Sequence, residues 1–142
     1  MYRRSNVRML VDTSALYALA DADDVSHDAA KGFLAEHSDT VFVMTNHVFG
    51  ELMTLTRKRA GGETAVSLGE RVRRSRRFYV VHLSPADEEE VWEIFGRYLD
   101  KKWSWVDCGL FHLGQELALW EVFAFDKHFA QMGFRVRPGE LG

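Results

Sequence analysis

Four short runs of uninterrupted apolar residues, Met9–Val11, Val41–Met44, Tyr79–Val81 and Val122–Phe125, limit what this chain can fold into. Each is too short for a helix and lacks polar alternation, the pattern of a strand covered on both faces. The segments between them carry apolar residues at helical spacing. Thr13-Ser14 is a natural helix start, and Ala15–Ala20 is a strong helix run. Ser26 is placed to cap a second helix to about Glu36, with Ala29, Ala30, Phe33 and Leu34 inward. A third helix opens at Thr45, carries Val48, Phe49, Leu52 and Leu55, and breaks at Gly61-Gly62; a fourth runs to about Ser75. Pro85 begins a long helix through Val91, Trp92, Phe95 and Leu99. Another follows Ser104, with Leu110, Phe111, Leu113 and Leu117 inward. A short helix after Asp126 ends at Gly133, and Phe134–Val136 is expected as an edge strand. This alternation predicts an α/β fold, a three-layer α/β/α arrangement around a mainly parallel sheet of four to five strands.

The 142 residues are expected to form a single domain, 1–142, and the 46% hydrophobic content supplies its core. A net charge of -3 argues against binding nucleic acid by overall charge, but leaves room for a local basic face. With Cys108 as the sole cysteine, an intramolecular disulfide and C-x-x-C zinc spacings are excluded, which suits a reducing cytoplasm. The amino terminus MYRRSNVRMLVD is basic, yet its apolar run at Met9–Val11 is far shorter than the roughly seven to fifteen residues of a signal peptide. No run approaches the roughly twenty residues of a membrane span, so no membrane association is expected.

In open parallel sheets, ligands bind beyond the carboxyl ends of the strands. Asp12 closes the first apolar run and Asp126 follows the fourth. Glu51 falls in the second turn of the third helix, and Asp107 in the first turn of the helix begun near Ser104. A parallel sheet brings all four to one edge, where they repel unless a cation joins them. Oxygen ligands suit Mg2+ or Mn2+, and such a site can activate water and stabilise charge on a transferring phosphoryl group. Each acid also has an ordinary use. Asp12 and Asp126 can cap helices, Glu51 can be a solvated helix residue, and Ser104-x-x-Asp107 has capping-box spacing. The set carries the hypothesis, because capping alone does not explain four acids aimed at one edge.

The segments VDTSALYAL, TNHVFGEL, WSWVDCGLF and FAFDKHFAQMGF, in this order, resemble those of PIN domains, and within that family the VapC-type toxins. The resemblance spans about Arg8 to Val136. It implies an acidic quartet of Asp12, Glu51, Asp107 and Asp126, with Asp12, Asp107 and Asp126 holding Mg2+ or Mn2+ and Glu51 completing the site or orienting a water. Thr13 matches the small hydroxyl residue after the first acid, and Ser104 the Ser or Thr that precedes the third. Cys108 stands where alanine is commoner in the family. The implied activity is metal-dependent hydrolysis of RNA phosphodiester bonds by the toxin of a type II toxin-antitoxin pair. The implied partners are RNA, a small antitoxin protein and a second copy of the chain.

Basic residues concentrate between Arg57 and Arg77, and Arg73 and Arg74 are the candidate phosphate contacts. A helix returning to a parallel strand would carry them away from the carboxylates, so they would reach RNA only across a dimer or along the side of the sheet. Trp103 and Trp105 are expected in packing more than in base stacking, and Cys108 has no basic neighbour in sequence to activate it. His112 and His128 lie near acidic positions, within reach of RNA, but show no ligand spacing. Two alternatives stand beside the nuclease reading. One is a metal-dependent phosphohydrolase, since His27-Asp28 resembles the HD-domain doublet, although that fold is all-helical. The other is a non-catalytic α/β binding or dimerisation module. Neither G-x-G-x-x-G nor a P-loop motif occurs.

Overall fold

The computed structural model describes residues 7–139, so Tyr2, Arg3 and Arg4 of the basic amino terminus lie outside it. The strands are β1 Val7–Val11, β2 Thr40–Thr45, β3 Phe78–Val81, β4 Glu121–Phe123 and β5 Arg135–Arg137. The helices are α1 Thr13–Ala20, α2 His27–Glu36, α3 Asn46–Ala60, α4 Gly62–Arg74, α5 Pro85–Arg97 and α6 Trp105–Leu117, with a 3-10 helix at Lys127–Met132. The strands form one sheet in the order β3-β2-β1-β4-β5, and every neighbouring pair is parallel. The chain steps from β1 through β2 to β3, then returns to the other side of β1 for β4 and β5. Right-handed crossovers therefore place α1 to α4 over one face and α5 with α6 over the other. This is the expected three-layer α/β/α architecture.

β1 is the central strand, and its Met9, Leu10 and Val11 are buried. Phe42 of β2 and Phe123 of β4 meet beside it with ring centroids 5.3 Å apart, and Phe33 of α2 packs on Phe123 at 4.7 Å. Burying each such ring contributes roughly 1.5–3 kcal/mol. Thr45 caps α3 by accepting from the Val48 N–H at 3.0 Å. Ser26 occupies the cap position of α2 without making a side-chain cap bond.

Several boundaries differ from the sequence expectation for local reasons. The fourth strand ends at Phe123, not Phe125. Ala124 still donates to the Arg137 carbonyl, but the Phe125 N–H goes to Ser14 Oγ at 3.0 Å, which detaches the chain from the sheet. The edge strand is Arg135–Arg137, one residue later than expected, and Phe134 is buried ahead of it. The helix from Pro85 stops at Arg97; Leu99 lies beyond it, 85% exposed, and Trp92 faces outward at 62%. Arg77 is not part of a basic face: its guanidinium donates to the carbonyls of Leu34, His37 and Thr40 and lies over the Phe42 ring.

The end of α6 supplies a test of this packing. A Cβ on Gly114 would come 2.8 Å from the Phe134 ring and 2.9 Å from the Leu119 carbonyl oxygen. Backbone cannot yield cheaply, so Gly114→Ala should lower stability by about 1–3 kcal/mol. Ala118, the C-cap of the same helix, has φ 55°, where glycine is preferred. Ala118→Gly should raise stability by roughly 0.5–1 kcal/mol. Thermal melts of the two variants should therefore move in opposite directions.

Candidate metal centre

β1 lies between β2 and β4, and the chain leaves those neighbours on opposite sides of the sheet. A cleft opens at such a switch point, beyond the carboxyl ends of the strands. Asp12 immediately follows β1 at its floor, only 5% exposed. It is the N-cap of α1, and its Oδ2 accepts from the Ser14 N–H at 3.2 Å and the Ser14 hydroxyl at 2.9 Å. Because Ser14 Oγ also receives the Phe125 N–H, one serine joins Asp12 to the segment that leads to Asp126.

Asp107 reaches the cleft from α6 and is also buried. Ser104 and Asp107 form a reciprocal capping box: the Ser104 N–H donates to Asp107 Oδ2 at 2.9 Å, and the Asp107 N–H to Ser104 Oγ at 3.0 Å. Asp126 caps the 3-10 helix, its Oδ1 accepting from the His128 N–H at 3.3 Å. His128 stands between two of the acids, with Nδ1 2.6 Å from Asp126 Oδ1 and Nε2 2.8 Å from Asp107 Oδ2. Its Nε2 is buried, and its contact with Asp107 is not aligned as a hydrogen bond. Glu51 is exposed on α3 and is tied to the floor by the Thr13 hydroxyl, which donates to its Oε1.

The hydrogen bonds named above engage a single oxygen of each carboxylate. The ordinary uses of Asp12, Asp107 and Asp126 as caps are thus present together with their convergence. Burial above all, helped by the charge of Asp107, raises the Asp12 carboxyl from its ordinary 3.8 to about 6, against the opposing hydrogen bonds from Ser14 and Thr13. Cys108 is buried next to Asp107, and burial first, then that charge, pushes its thiol up to about 11. It stays protonated and is no nucleophile.

Two residues of the cleft have contacts beyond the sequence expectation: Ser14, expected only at a helix start, and His128, expected near an acid and in reach of RNA. Their signal is local: each lies two positions after an acid, at the spacing from which a side chain or backbone N–H turns back to the cap. Other candidates lie elsewhere. Arg73 and Arg74 are exposed in the last turn of α4, at the end of the helix that leads into β3 and so away from the carboxyl edge, and Arg74 pairs with Glu70 at 3.3 Å. Trp103 is buried and donates through Nε1 to Gln131, while Trp105 is half-buried against Phe95. His27 Nδ1 contacts the Ala18 carbonyl at 2.7 Å, so His27 serves the α1–α2 junction, while Asp28 is exposed in the first turn of α2.

The raised Asp12 value makes a stability prediction. Unfolded Asp12 ionises near 3.8 and folded Asp12 near 6, so its contribution is most favourable below the unfolded value and is lost as pH rises through the folded one. The metal-free protein should thus lose about 2.5 kcal/mol between pH 4 and pH 8 from this group. Asp12→Asn, which keeps shape and capping ability, should melt higher than the unsubstituted protein at pH 8, and the gap should close toward pH 4. A gap that is the same at both pH values would contradict the assignment.

Comparisons with known proteins bear on the same geometry. The family model described as PIN domain matches residues 9–135. The 23S rRNA-specific endonuclease VapC20 of Mycobacterium tuberculosis is 35% identical over 131 residues, covering 92% of this chain and 98% of that protein. The crystal structure of that VapC20, described as a sarcin-ricin loop cleaving toxin, superposes with a TM-score of 0.83 at 33% identity, over 89% of this chain and 96% of the other. The crystal structure of VapBC2 from Rickettsia felis, bound to a DNA fragment from their promoter, shares the fold at a TM-score of 0.68 and 11% identity, over 92% of this chain and 98% of the other. The PIN-domain match over residues 9–135, together with 35% identity over 92% of the chain to a relative of the same fold, makes this chain a member of the PIN-domain family.

Proposed function

We propose that this chain, as one nuclease domain, is a metal-dependent endoribonuclease and the toxin of a type II toxin-antitoxin pair. The observation that carries the reading is the chain of links among the acids: His128 bridges Asp107 and Asp126, the charge of Asp107 acts on Asp12, and Thr13 ties in Glu51. The carboxylate oxygens of Asp12, Asp107 and Asp126 do not form a group within 4.8 Å of one another, so a cation would have to draw them together. The residues fit a small divalent cation. Their donors are hard oxygens, and the buried, poorly aligned His128 Nε2 beside Asp107 marks a place where positive charge is favoured. Asp12, Asp107 and Asp126 would hold Mg2+ or Mn2+, which supplies Lewis-acid stabilisation of the scissile phosphate when bound.

The protein's own groups perform the rest. Ser14 and Ser104 hold the Asp12 and Asp107 carboxylates in fixed orientations, so little reorganisation is needed as charge develops. Thr13 engages one oxygen of Glu51, leaving the other to complete the site or to accept a hydrogen bond from the attacking water. The cleft aligns the phosphodiester for in-line attack. Identity of 35% across nearly the full length of a 23S rRNA-specific endonuclease supports RNA as substrate and makes the sarcin-ricin loop the first sequence to try. A toxin of this kind calls for a neutralising antitoxin protein, and action on RNA of the ribosome places it in the cytoplasm. No helix of the described residues is long and apolar enough to cross a membrane. The outward Trp92 and Phe95 of α5 stack at 6.4 Å and present an apolar face suited to a second copy of the chain.

A gel assay on an RNA stem-loop carrying the sarcin-ricin sequence tests the reading. Cleavage should require Mg2+ or Mn2+ and stop with EDTA. Asp12→Asn, Asp107→Asn and Asp126→Asn should each reduce it at least about 100-fold while the fold is retained. Thr13→Val and Ser104→Ala should cost about 10–100-fold, as loss of a carboxylate's orienting partner does. Hydrolysis of a small phosphate ester without RNA cleavage would favour a phosphohydrolase, and neither activity would favour a binding module.

Arg73 and Arg74 are proposed as phosphate contacts reaching RNA across a dimer or along the side of the sheet. Charge reversal at both should weaken RNA binding and flatten its dependence on salt, since phosphate contacts release counterions. Affinity and salt slope that both stay unchanged would make this end of α4 a solvated surface only.

A further inference from the structure

Away from the acidic cleft, Asp87, His112 and Glu116 each bring a ligand atom within 4.8 Å of the other two. Asp87 lies in the first turn of α5. His112 and Glu116 are four positions apart on α6, so they share one face of that helix. His112 is 5% exposed, and its Nε2 is 2.9 Å from Asp87 Oδ1. The second oxygen of Asp87 accepts from the Ser84 N–H at 2.8 Å and the Ser84 hydroxyl at 2.9 Å. That pair of bonds fixes the carboxylate with Oδ1 toward the imidazole, the outer support that oriented metal ligands have. Glu116 is exposed and leaves the group open to solvent on its side.

The donor types separate this group from the cleft. One imidazole nitrogen with two carboxylate oxygens suits a borderline ion such as Zn2+, which takes three protein ligands and a water in open sites. In the cleft the proposed ligands Asp12, Asp107 and Asp126 offer only oxygens, which suits Mg2+ or Mn2+, while the His128 ring lies between two of them. A hydrogen bond between Asp87 and His112 alone would tie α5 to α6 without any use for Glu116, and this is what a substitution at Glu116 distinguishes.

We propose that Asp87, His112 and Glu116 form a second metal site, of zinc class, that clamps the start of α5 to the middle of α6. The site does not depend on the nuclease reading. Its consequence within the fold is to brace α6, the helix whose first turn presents Asp107.

The test uses the full chain with Asp12→Asn and Asp126→Asn together, which weakens the cleft as a competing metal site. Equilibrium dialysis should find a single zinc per chain in this background, and Co2+ should give the visible bands of a low-symmetry nitrogen and oxygen site. Adding Glu116→Gln, an exposed change that leaves packing intact, should weaken zinc binding about tenfold or more. Adding His112→Gln should remove the cobalt spectrum. Zinc should raise the melting temperature of the background protein and lose that effect with Glu116→Gln. Failure of the background protein to bind zinc overturns the site. So does zinc affinity that is the same with and without Glu116→Gln, in which case Asp87 and His112 form only a helix-helix hydrogen bond.

Discussion

The molecule is organised around a carboxylate that its own fold desolvates. Asp12 follows the central strand of the sheet, so covering both sheet faces also removes water from its charge. An isolated ion there would be costly. The cost is partly offset by two hydrogen bonds from Ser14 and is increased by the neighbouring charge of Asp107, which is why its carboxyl titrates near 6. Around this group the other acids are held by means that also serve folding: a capping box for Asp107, a cap for Asp126 and a threonine tether for Glu51. The unfavourable electrostatics of this cleft are what a bound cation would relieve.

This explains how much of the site was legible in the sequence. Asp12 and Asp126 were visible because they follow apolar runs, and a parallel sheet sends the residues after its strands to one edge. Asp107 was visible through its spacing from Ser104, a pattern that marks a helix start whether or not the residue is functional. The capping and metal readings were not rivals at these positions, since a cap engages one carboxylate oxygen and leaves the other. Glu51 had the weakest local signal. Its link to the cleft is a contact from Thr13 between elements far apart in the chain, which no spacing within one helix reveals. The strand order was beyond reach for the same reason: helical and strand periodicities identify elements, while the return of β4 to the far side of β1 is a tertiary choice.

The remaining differences share a cause. Local pattern assigns a face or a boundary, and a single long-range hydrogen bond can override it. Ser14 captures the Phe125 N–H and shortens β4, which frees Asp126 to turn and cap the 3-10 helix. Arg77 sits in a run of arginines yet points inward, because three carbonyls at the amino edge of the sheet need a donor. Trp92 and Phe95 have helical spacing but face solvent, as apolar residues do when they await a partner or complete a surface patch. His128 has no ligand spacing in the sequence, yet its ring ends between Asp107 and Asp126.

The most direct measurement of the central claim is an anomalous difference map from crystals grown with Mn2+. A cation bound by the cleft should give a peak coordinated by oxygens of Asp12, Asp107 and Asp126 at about 2.0–2.3 Å. The peak should vanish in Asp12→Asn crystals grown in the same way. A map with no density in the cleft at saturating Mn2+, from protein that still cleaves RNA, would contradict the assignment of these acids as the metal centre.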